Sequence, residues 1–292
     1  MKLNRSQWAD FSLLWVTVVW GATFVIVKLA IQDLPPLPFL TIRFALAFLS
    51  LLPFLYFQRR HISMGVILKG MALGVFLFSG YAWQTVGLQY TTSSNAGFIT
   101  GLSVVFVPAF VAMTTRKLPS PGLILGVLCA LVGLAFLSLG DRFVLNKGDL
   151  MVLVCAISFA LHILFVGRYA PHANAIVLAS VQILTVSVLS GISSMFLPQT
   201  AMHFSTNVWV ALLVTAIPAT SLAFFVQTKM QQFTTPTHTA LIFSMEPVFA
   251  AISAFFFAGE FLSPRGLLGA GLVLAGMLIA EFTGSASDTP LE

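Results

Sequence analysis

Residues 84–136 read QTVGLQYTTSSNAGFITGLSVVFVPAFVAMTTRKLPSPGLILGVLCALVGLAF, and residues 227–279 read QTKMQQFTTPTHTALIFSMEPVFAAISAFFFAGEFLSPRGLLGAGLVLAGMLI. The two stretches align without a gap at a constant offset of 143 positions (227 − 84). Identical pairs include Gln84/Gln227, Thr91-Thr92/Thr234-Thr235, Val105-Phe106/Val248-Phe249, Ser120-Pro121/Ser263-Pro264, Gly126/Gly269 and Gly133/Gly276. A membrane protein built from two repeats places its binding site at the repeat interface. The repeat therefore predicts both the fold and the position of a site.

The composition indicates an integral membrane protein. Of the residues, 58% are hydrophobic and only 8% are charged, and the mean hydropathy is +0.98, whereas a soluble domain carries about 25% charged residues. Cys129 and Cys155 both fall inside apolar spans, where we interpret them as small packing residues rather than as a disulfide. The net charge of +5 is a signal of membrane topology here and predicts no nucleic-acid partner.

Ten apolar spans of about 18–23 residues follow one another, and each is long enough to cross a bilayer core as a helix. The predicted spans are 11–31, 37–57, 66–88, 93–114, 121–139, 149–167, 175–196, 207–227, 237–258 and 266–283. We expect one five-helix repeat over residues 1–140 and a second over 141–283. Residues 284–292 are predicted to be a disordered cytoplasmic tail.

Lysine and arginine set the expected orientation, because they concentrate in cytoplasmic segments. With a cytoplasmic N-terminus, nine basic residues lie on the inside: Lys2, Arg5, Arg59, Arg60, Lys69, Arg116, Lys117, Arg168 and Lys229. Three lie on the outside: Arg142, Lys147 and Arg265. The bias places both termini in the cytoplasm.

An odd number of helices in each repeat has a geometric consequence. Spans 4 and 9 are equivalent in sequence, yet one starts outside and the other starts inside. The two halves are therefore predicted to be inverted relative to each other. The predicted fold is an all-α integral membrane protein with ten transmembrane helices, arranged as two inverted five-helix repeats around a central cavity. Inverted repeats are the usual architecture of a secondary transporter.

Three motifs resemble the EamA family of the drug/metabolite transporter superfamily. They are Trp20-Gly21, the stretch from Asn95 to Pro108 (NAGFITGLSVVFVP), and the run from Glu246 to Ala251 (EPVFAA) followed by Gly259-Glu260. The resemblance covers essentially the whole chain and is closest to the YddG-type exporters of aromatic and other neutral amino acids. It implies a ten-helix bacterial inner-membrane transporter with a central cavity. The sequence departs from the family pattern at Arg116-Lys117, which stand where the second repeat has Gly259-Glu260.

Glu246 is the leading candidate for a functional residue, because ionisable groups inside a membrane are costly and usually face a cavity or a partner. It shares a helical face with Thr239 and Phe243, and its repeat equivalent Ser103 shares a face with Thr100. One interpretation is that Glu246 lines the cavity and binds a substrate amine or a proton. The other is structural, since Pro247 loosens the helix and Glu246 stabilises the kink or pairs with a cation.

Further candidates have the same two interpretations. Lys28 and Arg43 neutralise a substrate carboxylate or pair with Glu246, or they are structural and reach the outer interface. His162 carries protons or is a hydrogen-bonded packing residue. The remaining polar and aromatic cavity candidates are Trp20, Tyr81, Gln84, Gln182, Thr220 and Gln227. In their structural interpretation, the polar members of this group form inter-helix hydrogen bonds.

The predicted function is a secondary transporter that exports small metabolites, chiefly aromatic or neutral amino acids, by alternating access. The alternatives are a proton-coupled multidrug or cation exporter, a channel-like facilitator, and a non-transporting membrane protein or lipid scramblase. No enzyme motif, metal site or cofactor is predicted. The expected partners are a small-molecule substrate, the lipid bilayer and, as a candidate coupling ion, the proton, in a monomer or homodimer.

Overall fold

The computed structural model describes residues 5–138, 146–196, 202–258 and 263–283. These residues form helices joined by short turns, with no strand among them. The α-helices are α1 Arg5–Asp33, α2 Pro36–Phe57, α3 Met64–Gly87, α4 Ser93–Gly101, α5 Ser103–Thr115, α6 Pro121–Ser138, α7 Lys147–Tyr169, α8 Ala175–Met195, α9 Thr206–Ala216, α10 Ala223–Met230, α11 Pro236–Phe243, α12 Glu246–Ala258 and α13 Pro264–Thr283. A π-helical turn, Ile217–Leu222, joins α9 to α10. The predicted tail, Lys2, Arg142 and Gly259-Glu260 lie outside the described residues.

The all-α membrane class is confirmed. By length and composition, seven helical segments of the described chain can cross a membrane: Arg5–Asp33, Pro36–Phe57, Met64–Gly87, Asn95–Thr115, Lys147–His172, Ala175–Met195 and Thr206–Met230. Two shorter apolar helices, Pro121–Phe136 and Pro264–Ala280, coincide with predicted spans 5 and 10. Predicted span 9 corresponds to α11 and α12 together. The exterior is apolar as well; Phe54 and Leu268, for example, expose 58% and 64% of their surface.

The residues that recur in both repeats begin the helices. Thr92 and Thr235 are the N-caps of α4 and α11, and each hydroxyl accepts a hydrogen bond from the backbone N–H three residues later, at 3.1 and 3.2 Å. Ser120 and Ser263 accept corresponding bonds in front of α6 and α13. A cap of this kind satisfies a backbone donor that has no partner within the helix. The repeated sequence therefore specifies repeated helix starts.

Both repeats also interrupt a helix at equivalent positions. α4 ends at Gly101 and α5 begins at Ser103, while α11 ends at Phe243 and α12 begins at Glu246. Ser103 and Glu246 differ by the repeat offset, so each stands at the start of a half-helix. In the second repeat, Pro247 removes a backbone donor just after the interruption.

Glycines bring α6 and α13 into close backbone contact. A Cβ atom at Gly126 would lie 2.7 Å from the carbonyl oxygen of Gly276, and one at Gly133 would lie 2.6 Å from that of Gly269. Each glycine of one helix thus meets the glycine that is not its own repeat equivalent. Small residues of this kind allow membrane helices to approach closely.

The two halves interlock rather than lie side by side. The most extensive helix contacts, besides that between α6 and α13, join α3 to α7, α2 to α8, α3 to α8 and α1 to α12. All of them cross from the first half of the chain to the second. The first helix of each half also packs against the interrupted helix of the other half, α1 on α11 and α12, and α7 on α4 and α5. A cavity enclosed by these helices is consequently lined by both halves.

We predict that Gly276→Ala destabilises the protein whereas Gly271→Ala on the same helix does not. A Cβ at Gly276 would lie 2.5 Å from the carbonyl oxygen of Gly126, while one at Gly271 would meet nothing within 4 Å. Overpacking of this kind costs about 1–3 kcal/mol. Thermal unfolding in detergent measures the difference, and equal midpoints for the two variants would contradict the α6–α13 contact.

Candidate functional site

A cavity lies at the centre of the bundle, between the two halves of the chain. It encloses about 810 Å³ of space free of protein atoms, its open mouth included. Its lining residues come from α1, α2, α3, α4, α5, α7, α10, α11 and α12, together with Leu88 after α3. A cavity with apolar and aromatic walls and a few polar groups is typical of a small-molecule site.

Nine of the twelve candidate residues line this cavity: Trp20, Arg43, Tyr81, Gln84, Thr100, Ser103, His162, Gln227 and Glu246. Lys28, Gln182 and Thr220 do not line it. Four aromatic residues of the wall, Phe24, Phe159, Phe224 and Phe243, were not among the site residues predicted from the sequence. Phe159 and Phe224 each precede a polar lining residue by three positions, so helical spacing from His162 and Gln227 points to them.

Glu246 stands at the first position of α12, near the centre of the bundle. Within the described chain its carboxylate has no hydrogen-bond donor and no cation within 4 Å. A carboxylate at a helix N-terminus is favoured by the helix dipole, which agrees with a structural contribution. Its side chain nevertheless lines the cavity, where it is open to a ligand.

Arg43 is buried, with 3% of its surface exposed, and lines the same cavity. Its Nε donates a hydrogen bond of 2.9 Å to the Thr220 hydroxyl. The guanidinium carbon lies 4.9 Å from the ring centre of Tyr81 and 5.5 Å from that of Phe44, in cation–π contacts. The expected alternative pairing with Glu246 is absent, since no ion pair joins these two described side chains. Arg43 is therefore held rigidly by neutral groups.

The π-helical turn explains the position of Thr220. Its hydroxyl donates to the Thr215 carbonyl five residues earlier at 2.7 Å, as well as accepting from Arg43. The extra residue in the turn changes the angular relation between Thr220 and Gln227, which regular α-helical spacing places on one face. Gln227 lines the cavity, while Thr220 lies behind Arg43 and positions it. π-turns of this type are frequent at functional sites.

The Trp20-Gly21 motif has two distinct contacts. The Trp20 indole N–H donates a hydrogen bond of 2.8 Å to the Ala219 carbonyl in the π-turn. The Trp20 ring packs against Phe224 and Phe243 at centroid distances of 5.4 and 5.0 Å. Gly21 lets α1 approach the start of α12, because a Cβ there would lie 2.6 Å from the Glu246 carbonyl oxygen. The motif thereby brings an aromatic wall and the half-helix start together.

His162 is linked away from the cavity to Gln182. Its Nε2 lies 2.7 Å from Gln182 Oε1, and Gln182 Nε2 donates to the Thr228 hydroxyl at 3.1 Å. Gln182 is completely buried and joins α7, α8 and α10. These bonds between helices agree with the structural interpretation of Gln182.

The repeat-related glutamines Gln84 and Gln227 differ in their partners. Gln84 Nε2 donates to the Thr100 hydroxyl at 3.1 Å. The repeat equivalent of Thr100 is Phe243, which offers no hydroxyl, so Gln227 Nε2 donates instead to Gln231 Oε1 at 3.1 Å. The Gln227 carbonyl oxygen is buried and has no hydrogen-bond partner among the described residues.

Lys28 lies at the Asp33 end of α1, outside the cavity wall. Its Nζ donates a hydrogen bond of 3.1 Å to the Thr91 carbonyl. The Thr91 hydroxyl in turn donates a hydrogen bond of 2.5 Å to the Asp149 carboxylate at the start of α7. Asp149 also closes a capping box with Asn146. These bonds tie α1, the turn after α3 and α7 together, so the contacts of Lys28 are structural.

The EamA-like transporter family matches the chain over residues 7–139 and again over 146–282. The chain belongs to this family. The protein is accordingly a multi-pass membrane transporter and not an enzyme, which confirms the resemblance seen in the sequence motifs and sets aside the non-transporting alternative.

Individual relatives agree over nearly the whole length. An "Uncharacterized transporter" of Archaeoglobus fulgidus is 37% identical over 278 residues, which cover 95% of this chain and 87% of the relative. A "Probable amino-acid metabolite efflux pump" of Salmonella typhimurium is 24% identical over 285 residues, covering 93% and 94%. A crystal structure that is 16% identical superposes with a TM-score of 0.80 over 96% of this chain and 99% of the other, which shows a shared fold.

We predict that Gln182→Leu lowers the stability of this EamA-family protein by about 1 kcal/mol, because it leaves the His162 and Thr228 polar groups without their buried partner. Thr185→Val on the same helix is the matched control, since its hydroxyl bonds to the carbonyl of Val181 in its own helix. Thermal unfolding of the purified variants tests this. An unchanged midpoint for Gln182→Leu would show that the network contributes nothing to stability.

Proposed function

We propose that this EamA-family protein is a secondary transporter that exports neutral amino acids, aromatic ones among them, across the bacterial inner membrane by alternating access. The observation that carries the proposal is the central cavity. It combines aromatic walls with one buried cation, Arg43, and one carboxylate, Glu246, that has no partner among the described residues. An amino acid has matching parts, namely an apolar side chain and two opposite charges.

The proposed mechanism rests on ten crossings in two inverted five-helix halves, residues 1–140 and 141–283. Three features support it: the equivalent helix interruptions at Ser103 and Glu246, the crossed glycine contacts of α6 and α13, and the interlocked packing of the halves. Two halves that exchange conformations open the same cavity first to one side and then to the other.

The substrate class has independent support from the relatives. The Salmonella relative is named as an amino-acid metabolite efflux pump, and the sequence motifs resemble the YddG-type exporters. The lining also argues against larger anionic substrates, since Arg43 is the single lysine or arginine among the described lining residues.

A proton-coupled exporter of cations is the second candidate, and Glu246 favours it. A carboxylate without a partner in the membrane can bind a proton and a substrate cation in turn, whereas a facilitator requires no such group. The two candidates differ in whether a pH gradient drives transport.

We predict saturable transport of neutral amino acids by the wild type in proteoliposomes, reduced at least about tenfold in Glu246→Gln, because a hydrogen bond to a charged group contributes about 1.5–3 kcal/mol. Uptake and efflux of a radiolabelled amino-acid panel, with and without a pH gradient, provide the measurement. Asp33→Asn is the matched control, since Asp33 bonds to Ser205 away from the cavity.

The outcomes separate the candidates. Transport that does not depend on the gradient supports a facilitative exporter, and transport driven by an imposed pH gradient supports proton antiport, since Glu246→Gln is expected to reduce the flux in both cases. Absence of flux for every amino acid in the panel would falsify the amino-acid assignment.

The proposed topology predicts which loops face the cytoplasm. Single cysteines in a background lacking Cys129 and Cys155 report this: Arg60→Cys is expected to be protected from a membrane-impermeant maleimide in intact cells, and His203→Cys to be labelled. Both positions are exposed in the connections between long helices, at opposite ends of the bundle. Reversed labelling would place the termini outside.

A further inference from the structure

We propose that the cavity recognises both charged ends of one zwitterionic amino acid. Arg43 binds the carboxylate, and Glu246 together with the side-chain amide oxygen of Gln227 binds the ammonium. This inference rests on the proposed amino-acid export and adds how the substrate is selected. It assigns a positive and a negative subsite to a single cavity.

The geometry of Arg43 suits a carboxylate. Thr220 accepts the Nε–H, and the guanidinium carbon lies over the Tyr81 ring, 4.9 Å from its centre. A guanidinium has five N–H donors in a planar fork, so donors remain on the Nη atoms at the cavity wall. That fork matches the two oxygens of a carboxylate. Because Thr220 and Tyr81 are neutral, neither direct partner of Arg43 cancels its charge.

Two acceptors in the same cavity have no donor within the described chain. The Glu246 carboxylate accepts no hydrogen bond there, and Gln227, only 1% exposed, has an unpartnered carbonyl oxygen. The Gln227 oxygen is buried, and a buried acceptor without a partner is costly and uncommon; Glu246 is half-buried and lines the cavity. An ammonium group carries three N–H donors and no acceptor. It is therefore the ligand group that satisfies both acceptors and neutralises the carboxylate.

The charge balance favours a zwitterion over ligands with a single charge. Arg43 and Glu246 are the lysine, arginine, aspartate and glutamate side chains among the described lining residues, one of each sign. A simple cation leaves Arg43 unmatched, and a simple anion leaves Glu246 unmatched. An unpaired charge in the site weakens the binding of the wrong ligand, and this free-energy cost contributes more to selectivity than an additional contact with the right ligand does. The rings of Trp20, Phe224 and Phe243 remain to pack against an apolar side chain.

The test compares each amino acid with analogues that lack one charged group. L-Phenylalanine is compared with 2-phenylethylamine and 3-phenylpropanoate, and L-leucine with isopentylamine and 4-methylpentanoate. Inhibition of radiolabelled amino-acid transport in proteoliposomes, and thermal stabilisation of the purified protein, give apparent affinities. In the wild type we expect the amino acid to bind at least about tenfold more tightly than either analogue.

The variants are expected to give a crossed pattern. Arg43→Gln should abolish the preference for the amino acid over the amine while keeping its preference over the acid. Glu246→Gln should abolish the preference for the amino acid over the acid while keeping its preference over the amine. Gln227→Met should weaken the binding of the amino acid and of the amine, but not of the acid. Thr220→Val retains the Arg43 guanidinium but removes the hydroxyl that accepts its Nε–H. We expect this variant to reduce, but not abolish, the preference for the amino acid over the amine. This milder variant retains the test if Arg43→Gln does not fold.

Lys28→Gln is the matched control, because it removes another membrane-embedded cation that the structure places outside the cavity wall. Its affinity ratios should equal those of the wild type. Amine binding as tight as amino-acid binding in the wild type would overturn the inference, as would an Arg43→Gln variant that weakens all three ligands equally. Those results leave amino-acid transport itself intact, whereas failure of the wild type to bind or move any amino acid refutes the proposed function as well.

Discussion

Within a bilayer no water is available to satisfy polar groups, and this constraint governs the protein from its helix starts to its cavity. Backbone groups are satisfied within helices, and the recurring Thr92, Thr235, Ser120 and Ser263 cap the donors that helices leave over. Buried side chains such as Gln182 bond across helices. Two residues that line the cavity, Glu246 and Gln227, keep side-chain acceptors without a hydrogen-bond partner in the described chain, as do the buried hydroxyls of Ser180 and Ser190 away from the cavity. A ligand is the natural partner for groups that the protein leaves unsatisfied in such a place.

The repeat supplies the framework, and departures from the repeat supply the chemistry. Equivalent caps, equivalent interruptions and crossed glycines build two similar halves. The cavity between them is chemically asymmetric, because Ser103 corresponds to Glu246 and Thr100 to Phe243. The first exchange places a carboxylate on one side only. The second removes the hydroxyl that accepts the Gln84 amide N–H, so Gln227 donates to Gln231 instead; the Gln227 side-chain oxygen has no hydrogen-bond partner in the described chain. The repeat therefore positions the site, and the differences between the two repeats give its two sides different chemistry.

Much of the fold and a large part of the candidate site could be predicted from the sequence. The apolar spans predicted the helices. Charged, polar and aromatic side chains within those spans, some of them on shared helical faces, predicted nine residues of the cavity wall. The failures have local causes. Thr220 lies off the expected face because a π-turn adds a residue to the helix. Lys28 and Gln182 looked like site residues because ionisable and polar groups are rare in a membrane, yet their partners, the Thr91 carbonyl and Thr228, are distant in sequence. Whether the lining residues bind substrate remains a prediction.

Membrane class, the repeat, the helix starts and the family follow from the amino-acid order alone, because they depend on hydropathy, periodicity and residues close together in the chain. Partner choice does not. Arg43 bonds to Thr220 rather than to Glu246 because α2 packs against the π-turn that carries Thr220, and the Gln227 side-chain oxygen lies buried without a partner in the described chain. These relations arise from side-chain packing between the interlocked halves, which is a property of the folded bundle and not of any single helix.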